Sequence, residues 1–326
     1  MSSLTRAPLV DYAPAKVNLT LRVLGRRRDG YHAIESLVVF ARLRDRLTLF
    51  PGGPLKLIVR GPTAAAAGRI ADNLVLKAAR ALAAEIDGLT LGRFTLVKNL
   101  PVAAGLGGGS TDVAAALRLL ARANRLKRDD PRMLKVARSI GADVPVCLDP
   151  RARLIRGIGE VLSEPLDLPA LAVVLVNPSI AVATKDVFAA FDIHVPQPHP
   201  RSRRAGGAPS SLSSFRQQEG ERVAGAKLRP GEEESAETEI PQEREALLAF
   251  LAAGSNDLEA TAIALAPPIA KVLAALRATP GCRLARMSGS GATGFGLFLS
   301  SRAAAAAARD IKSGHPRWWV RASVLG

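Results

Sequence analysis

The chain predicts an α+β fold in two domains. Three observations carry this. Strand-like and helix-like segments come in blocks rather than in strict alternation. A glycine-rich loop stands between one strand and one strong helix. The length, 326 residues, exceeds a prior of about 150 residues per domain. The composition is 48% hydrophobic, enough for sizeable cores. A boundary is expected near residue 165, giving domains over 1–165 and 166–326.

Residues 9–24 read as a strand, and Arg26 to Gly30 as a hairpin-like turn around Asp29-Gly30. Strands are expected over 35–40, 45–50 and 55–60, followed by a helix from Asp72 to about Ile86 with Asp72 and Asn73 as candidate caps. Arg93 to Lys98 alternates as a strand should, and the helix after the glycine loop is carried by Val113 to Leu120. A further helix spans Pro131 to Ile140 and stops at Gly141; Gly141 to Cys147 is a short turn or helix start. Short strands are expected at 154–158 and 159–162, and a buried one at 171–176. Residues 195–241, rich in Pro, Ser, Gly, Arg and Glu, read as a flexible insertion that cannot bury enough apolar surface to order itself. Helices follow at 244–253, 256–265 and 267–278, then strands at 285–288 and 294–299 around a Gly289-Ser290-Gly291 turn, a helix at 303–312, and a last strand from Trp318.

Two cysteines, Cys147 and Cys282, give no disulfide framework and suit a reducing cytosol. No stretch reads as a signal or a membrane span, because Leu171 to Ala183 is short and broken by Asn177-Pro178. The expectation is a cytoplasmic protein without a membrane partner, a monomer or weak homodimer. The net charge of +16 raises nucleic acid as a partner. Against it, the arginines are dispersed except at 26–28 and 201–204, and aromatics for base stacking make up only 4%. Small anionic substrates account better for part of the charge, and the arginine- and alanine-rich composition that a GC-rich genome gives accounts for the rest.

The chemistry concentrates at Pro101-Val-Ala-Ala104-Gly105-Leu106-Gly107-Gly108-Gly109-Ser110-Thr111-Asp112. Four glycines in five positions let backbone approach a ligand closely, and the helix that follows offers free amides and a favourable dipole to an anion. Phosphate is the expected guest. The loop is not a Walker A sequence, since no Lys follows the last glycine, and it lacks the Rossmann context. Lys16 and Asn18 lie two apart on one strand face, with Val17 and Leu19 pointing to a core. A Lys on an apolar strand either snorkels to the surface or finds an anion that offsets its desolvation. Asp143, between Gly141-Ala142 and Val144-Pro145, reads either as a turn cap or as a carboxylate that takes a proton from a substrate hydroxyl. Gly289 to Gly294 is a second backbone-exposing loop, and Tyr31-His32 follow the Asp29-Gly30 turn.

Taken in order, Pro14-Ala15-Lys16-Val17-Asn18-Leu19, Arg28-Asp29-Gly30-Tyr31-His32, the glycine loop, Gly141-Ala142-Asp143-Val144-Pro145 and Ser288-Gly289-Ser290-Gly291-Ala292-Thr293 resemble the motifs of the GHMP kinases. The resemblance covers nearly the whole chain outside about 195–241, and it is strongest to the branch whose acceptor is a cytidine diphosphate-linked methylerythritol. It implies an N-terminal nucleotide domain like ribosomal protein S5 domain 2 and a ferredoxin-like C-terminal domain, with the site between them. It implies ATP and Mg²⁺ as cofactors, with the metal ligands left open. Asp143 would be the base and Lys16 its partner. Pro101, Ala104, Gly105, Leu106, Gly107, Gly108, Gly109, Ser110 and Thr111 would wrap the ATP phosphates, with Asn73 and Lys98 near the adenine or ribose. Asn18 would hold the acceptor, Tyr31 and Phe188 would sandwich the cytosine, and His32 would bond its edge. Gly291 and Thr293 would border the acceptor and phosphate. An RNA-binding protein would leave Lys16, Asp143 and two glycine loops unexplained together, and a non-catalytic nucleotide sensor would not need the intact Lys16 and Asp143 pair.

Overall fold

A twenty-residue strand, His32–Pro51 (β3), is the spine on which the N-terminal half is assembled. The computed structural model describes residues 7–194 and 239–326. The insertion expected at 195–241, with its Arg201–Arg204 cluster, lies outside the described residues except for its last three positions.

Two expected strands, 35–40 and 45–50, are one element: Ala41 to Arg44 continue it across the gap. The reverse holds at 9–24, which divides into β1 (Leu9–Asn18) and β2 (Arg22–Arg26). Between them the Leu21 N–H bonds the Ser255 carbonyl, 2.9 Å away, in the C-terminal half. The buried Arg286 guanidinium donates to the carbonyls of Leu19, Leu251 and Gly254 at the same break. Tertiary partners, not local propensity, end the strand there.

The chain then runs through β4 (Lys56–Arg60), α1 (Leu74–Glu85), β5 (Gly92–Val97), α2 (Gly108–Ala123), α3 (Pro131–Ile140), α4 (Val144–Leu148), β6 (Arg153–Gly157) and β7 (Val161–Leu162). Asn73 caps α1 by accepting the Val75 N–H, and Asp130 caps α3 by accepting that of Arg132. Strands β1, β2, β5 and β6 all pair with β3, and β4 adds to β5 in parallel. α1, α2 and α3 cover this sheet, where Phe94, Leu82, Leu117 and Leu120 are fully buried.

The second half comprises β8 (Leu171–Asn177), α5 (Thr184–His194), α6 (Arg244–Ala253), α7 (Glu259–Leu265), α8 (Pro268–Ala278), β9 (Leu284–Met287), β10 (Gly294–Phe298), α9 (Ser301–Gly314) and β11 (Trp319–Leu325). Its strands run β11-β8-β10-β9, all antiparallel, and β11 meets β3 at Leu325 opposite Ala41. The expected α+β class is the observed one. Ala15, Val17 and Leu19 of the first half pack in one cluster with Leu175, Leu251 and Phe295 of the second. The halves therefore share a core, which fixes their facing loops relative to each other. Helix α5 was not anticipated: Val187 and Phe191 are buried at helical spacing, but only one turn of that pattern precedes the compositional change at 195.

Candidate active site

The glycine loop turns its carbonyls inward. Four successive oxygens are taken by the protein: Ala103 O by the Val182 N–H (3.2 Å), Ala104 O by the Thr293 N–H (3.1 Å), Gly105 O by the Ser288 hydroxyl (2.8 Å) and Leu106 O by the Lys16 N–H (2.9 Å). Peptide groups held this way present their N–H sides outward, which makes a concavity for an anion. The loop runs into α2 through Gly107, at φ +61, with no side chain capping the helix. The first helical bond is Thr111 N–H to Gly107 O, 2.9 Å, so the amides of Gly108, Gly109 and Ser110 stand at the open end of a sixteen-residue helix. A Cβ on Gly107 would meet Lys16 Cβ at 3.0 Å; a glycine is what lets the lysine lie against the loop. Ala104 and Leu106 are buried, so they serve through backbone.

Lys16, 3% exposed, reaches past Gly107 to Asp143, its Nζ 2.6 Å from Oδ1. Both expected catalytic residues thus meet at the edge of the glycine loop. Asp143 stands at the start of α4, 40% exposed on its side chain and open to a ligand, while the Cys147 thiol donates back to its carbonyl at 3.0 Å. Burial pushes that thiol up to about 12, which leaves Cys147 a packing group and not a nucleophile. Gly159, not singled out from the sequence, lies beside Ala142 and Asp143 at φ +117.

Ser288 joins the two glycine loops. Its hydroxyl donates to Gly105 O (2.8 Å) and accepts the Asn18 N–H (3.1 Å). Thr293 was expected to border the substrate; it is fully buried, and its hydroxyl accepts from Asn177 Nδ2 at 3.0 Å. It braces the junction instead. Asn18 is likewise buried, donating from Nδ2 to the Ser36 hydroxyl at 2.7 Å, with Oδ1 turned towards Gly289. Gly291 presses its backbone against Gly105. Asn177 and Asn256, which secure Thr293 and the carbonyls of Met287 and Gly289, carry no signal in the sequence, because a buried amide brace has no characteristic spacing.

Lys98 also departs from expectation. Its ammonium is turned beneath the loop, between Asp45 and Asp112, 2.8 Å from the latter, and not out towards a nucleotide base. Asp45 Oδ1 also accepts the Asn99 and Leu100 N–H groups, so the cluster anchors the entry to the loop. Burial works against the Lys98 charge, but the two carboxylates outweigh it and hold the ammonium above the usual lysine range. Asp112 has one oxygen, Oδ1, without a hydrogen-bond partner among the described residues, and burial pushes its carboxyl up to about 7 against the pull of Lys98. A carboxyl raised on folding holds its proton more tightly in the native protein, so stability falls as pH climbs from about 4 to about 7. Denaturant titrations of wild type and Asp112→Asn at about pH 5 and about pH 8 should show the variant gaining relative to wild type at the higher pH. A difference independent of pH would show that Asp112 does not titrate there.

At the other end of the site, Tyr31 projects from the β2–β3 turn, 60% exposed. His32 and Phe188 stack with centroids 4.8 Å apart and planes at 22°, and Phe191 meets the histidine edge-on. His32 Nε2 lies 2.6 Å from Asp192 Oδ1, and the Thr184–Ser290 hydroxyl contact of 2.8 Å ties the start of α5 to the second glycine loop. Of the expected aromatic group, His32 and Phe188 are in contact, and the face of Phe188 meets His32. Asp192 is an addition, since α5 was not foreseen.

A glycine loop that offers backbone amides beside a Lys–Asp pair, on two α+β halves that share a core, is the arrangement of a small-molecule kinase. Residues 73–149 match the model of the GHMP kinases N-terminal domain and 239–316 that of the GHMP kinases C-terminal domain; the chain belongs to the GHMP kinase family. Within it, the chain is 53% identical over 320 residues to the 4-diphosphocytidyl-2-C-methyl-D-erythritol kinase of Methylobacterium radiotolerans, covering 97% of this chain and 99% of the relative. It is 52% identical to that of Xanthobacter autotrophicus, covering 96% and 97%. A crystal structure of 4-(cytidine 5'-diphospho)-2C-methyl-D-erythritol kinase superposes with a TM-score of 0.70 at 32% identity, over 98% of this chain and 99% of the other. L. major mevalonate kinase in complex with R-mevalonate, at 16% identity, TM-score 0.63 and coverage of 100% and 98%, shares the fold.

Proposed function

We propose that the protein transfers the γ-phosphoryl group of ATP, with Mg²⁺, to the 2-hydroxyl of 4-diphosphocytidyl-2-C-methyl-D-erythritol, a step towards isoprenoid precursors by the non-mevalonate route. The row of inward-turned carbonyls from Ala103 to Leu106 supports this most, because it leaves an amide-lined cradle beside the Lys16–Asp143 pair. In this reading the enzyme is cytoplasmic and works without membrane or nucleic acid.

The loop amides and the α2 N-terminus hold the phosphates and offset their charge. Asp143 takes the proton as the acceptor oxygen bonds to the γ-phosphorus; the bond from that phosphorus to the β–γ bridging oxygen breaks, leaving ADP. Lys16 fixes the Asp143 carboxylate and brings a positive charge to the reacting phosphoryl group. Among the described residues no group of three or more His, Cys, Asp or Glu could hold a metal. Mg²⁺ would come with the ATP phosphates and would offset their charge. Ser110 is the better candidate for a protein hydroxyl beside it, because the Thr111 hydroxyl donates to Gly108 O at 3.1 Å. Asn73, whose Oδ1 is occupied in capping α1, keeps its Nδ2 for the nucleotide. Tyr31, with the His32–Phe188 stack, receives the cytosine.

The product tests this. The acceptor carbon at position 2 bears a methyl group and no hydrogen, so a monoester there gives a ³¹P signal without three-bond coupling to a proton. That signal is expected alongside the retained diphosphate. A proton-coupled monoester would place the phosphate on another hydroxyl.

A further inference from the structure

We propose a second anion site, for a phosphate-bearing small molecule, in a cleft behind α4 that takes no residue from either glycine loop or from the Lys16–Asp143 pair. The β1–β3 ladder creates it. Pairing runs from Pro14 opposite Arg44 directly to Lys16 opposite Phe40, so three residues of β3 bulge against Ala15 alone. Beside the bulge lies a cleft of about 540 Å³ whose lining includes Arg42, Arg44, Arg118 and Arg128 against one aspartate, Asp11, with Tyr12 between them.

Its charge is unbalanced. Arg42 and Arg44 pair with no carboxylate among the described residues, and both are exposed. Arg44 is pre-set for a ligand, its guanidinium carbon 3.6 Å above the Tyr12 ring. Arg118 forms a rigid floor: it bonds Asp11 at 3.0 Å, the Tyr12 carbonyl at 2.9 Å and the Cys147 carbonyl at 2.7 Å. Arg128 shares the single carboxylate of Asp149 with Arg151 and Arg153. Two free guanidiniums, one of them stacked, beside paired ones are what a tetrahedral dianion needs for forked hydrogen bonds. The cleft also abuts the site: α4, which Asp143 opens, is held at its far end by Arg118 through the Cys147 carbonyl.

Inorganic pyrophosphate is the probe, titrated calorimetrically into the full-length protein with the glycine loop already filled by a non-hydrolysable ATP analogue. One further equivalent should bind, with affinity at least tenfold weaker in the Arg42→Ala/Arg44→Ala variant. Melting temperature and basal turnover of that variant should stay at wild-type values, so failure here is separate from failure of the kinase reading. Orthophosphate and methyl phosphate run alongside tell an inorganic ligand from an ester, and binding of either through Arg42 and Arg44 supports the site. Absence of binding with the loop filled, or equal binding by wild type and variant, overturns it.

Discussion

Asp143→Asn should lower kcat by about 10²–10⁴-fold while ATP affinity stays within about threefold of wild type, because a positioned base contributes on that scale to the chemical step and nothing to nucleotide binding. The asparagine keeps the shape of the carboxylate but cannot take the acceptor proton. It also leaves Lys16, 4% exposed on its side chain and paired among the described residues with Asp143 alone, as a buried charge without that counterion. Single-turnover kinetics with a fluorescent ATP analogue separate the two effects. Turnover within tenfold of wild type would remove Asp143 from the chemistry. A matching loss of nucleotide binding would place it in the phosphate cradle instead.

Gly105→Ala should be the most damaging single change to the architecture. A Cβ there would stand 2.3 Å from the Ser288 carbonyl oxygen and 2.8 Å from that of Gly291, at φ +73. Both obstacles are backbone, so neither can rotate away, and an alanine in the left-handed region carries strain besides. The two glycine loops must part, which breaks the Ser288–Gly105 bond and shifts the amides that face the phosphates. The expected cost is on the order of 2–4 kcal/mol in stability and a melting temperature lower by several degrees, together with loss of ATP binding. Gly109→Ala is the control for stability: its Cβ would meet only the flexible Leu74 Cδ1, at 3.4 Å. If the two variants are equally stable, the loops are not held together as described.

These two residues show what could be read in the sequence and what could not. Gly105 and Asp143 were legible because the chemistry leaves a local mark: a run of glycines before a helix, an aspartate in an apolar turn. Lys16 was legible as an ion in an apolar strand, and the structure supplies its counterion. The ion pairs of Lys98 with Asp45 and Asp112 are not legible, because a charged residue beside a glycine loop looks the same in sequence whether it faces a ligand or two carboxylates beneath. Its partner Asp45 stands 53 positions away. Thr293 and Asn18 lie in legible motifs, yet the motif did not reveal that their side chains point inward. The elements failed in the same manner. The break at Leu19 to Leu21 and the continuity of β3 through Ala41 depend on Ser255, Arg286 and Leu325, partners that no local window contains. Helix α5, with Phe188 and Asp192, is too short a pattern beside a compositional change to stand out.

The central claim is that one site joins the glycine loop, the Lys16–Asp143 pair and the Tyr31–His32–Phe188 group. Its most direct test is ADP formation by the purified protein with 4-diphosphocytidyl-2-C-methyl-D-erythritol, with bare methylerythritol, homoserine and mevalonate alongside. Turnover with the cytidine compound alone is the expected result. Equal turnover with bare methylerythritol, or turnover only with homoserine or mevalonate, would contradict the account at its recognition end and leave the phosphate loop without the acceptor assigned to it.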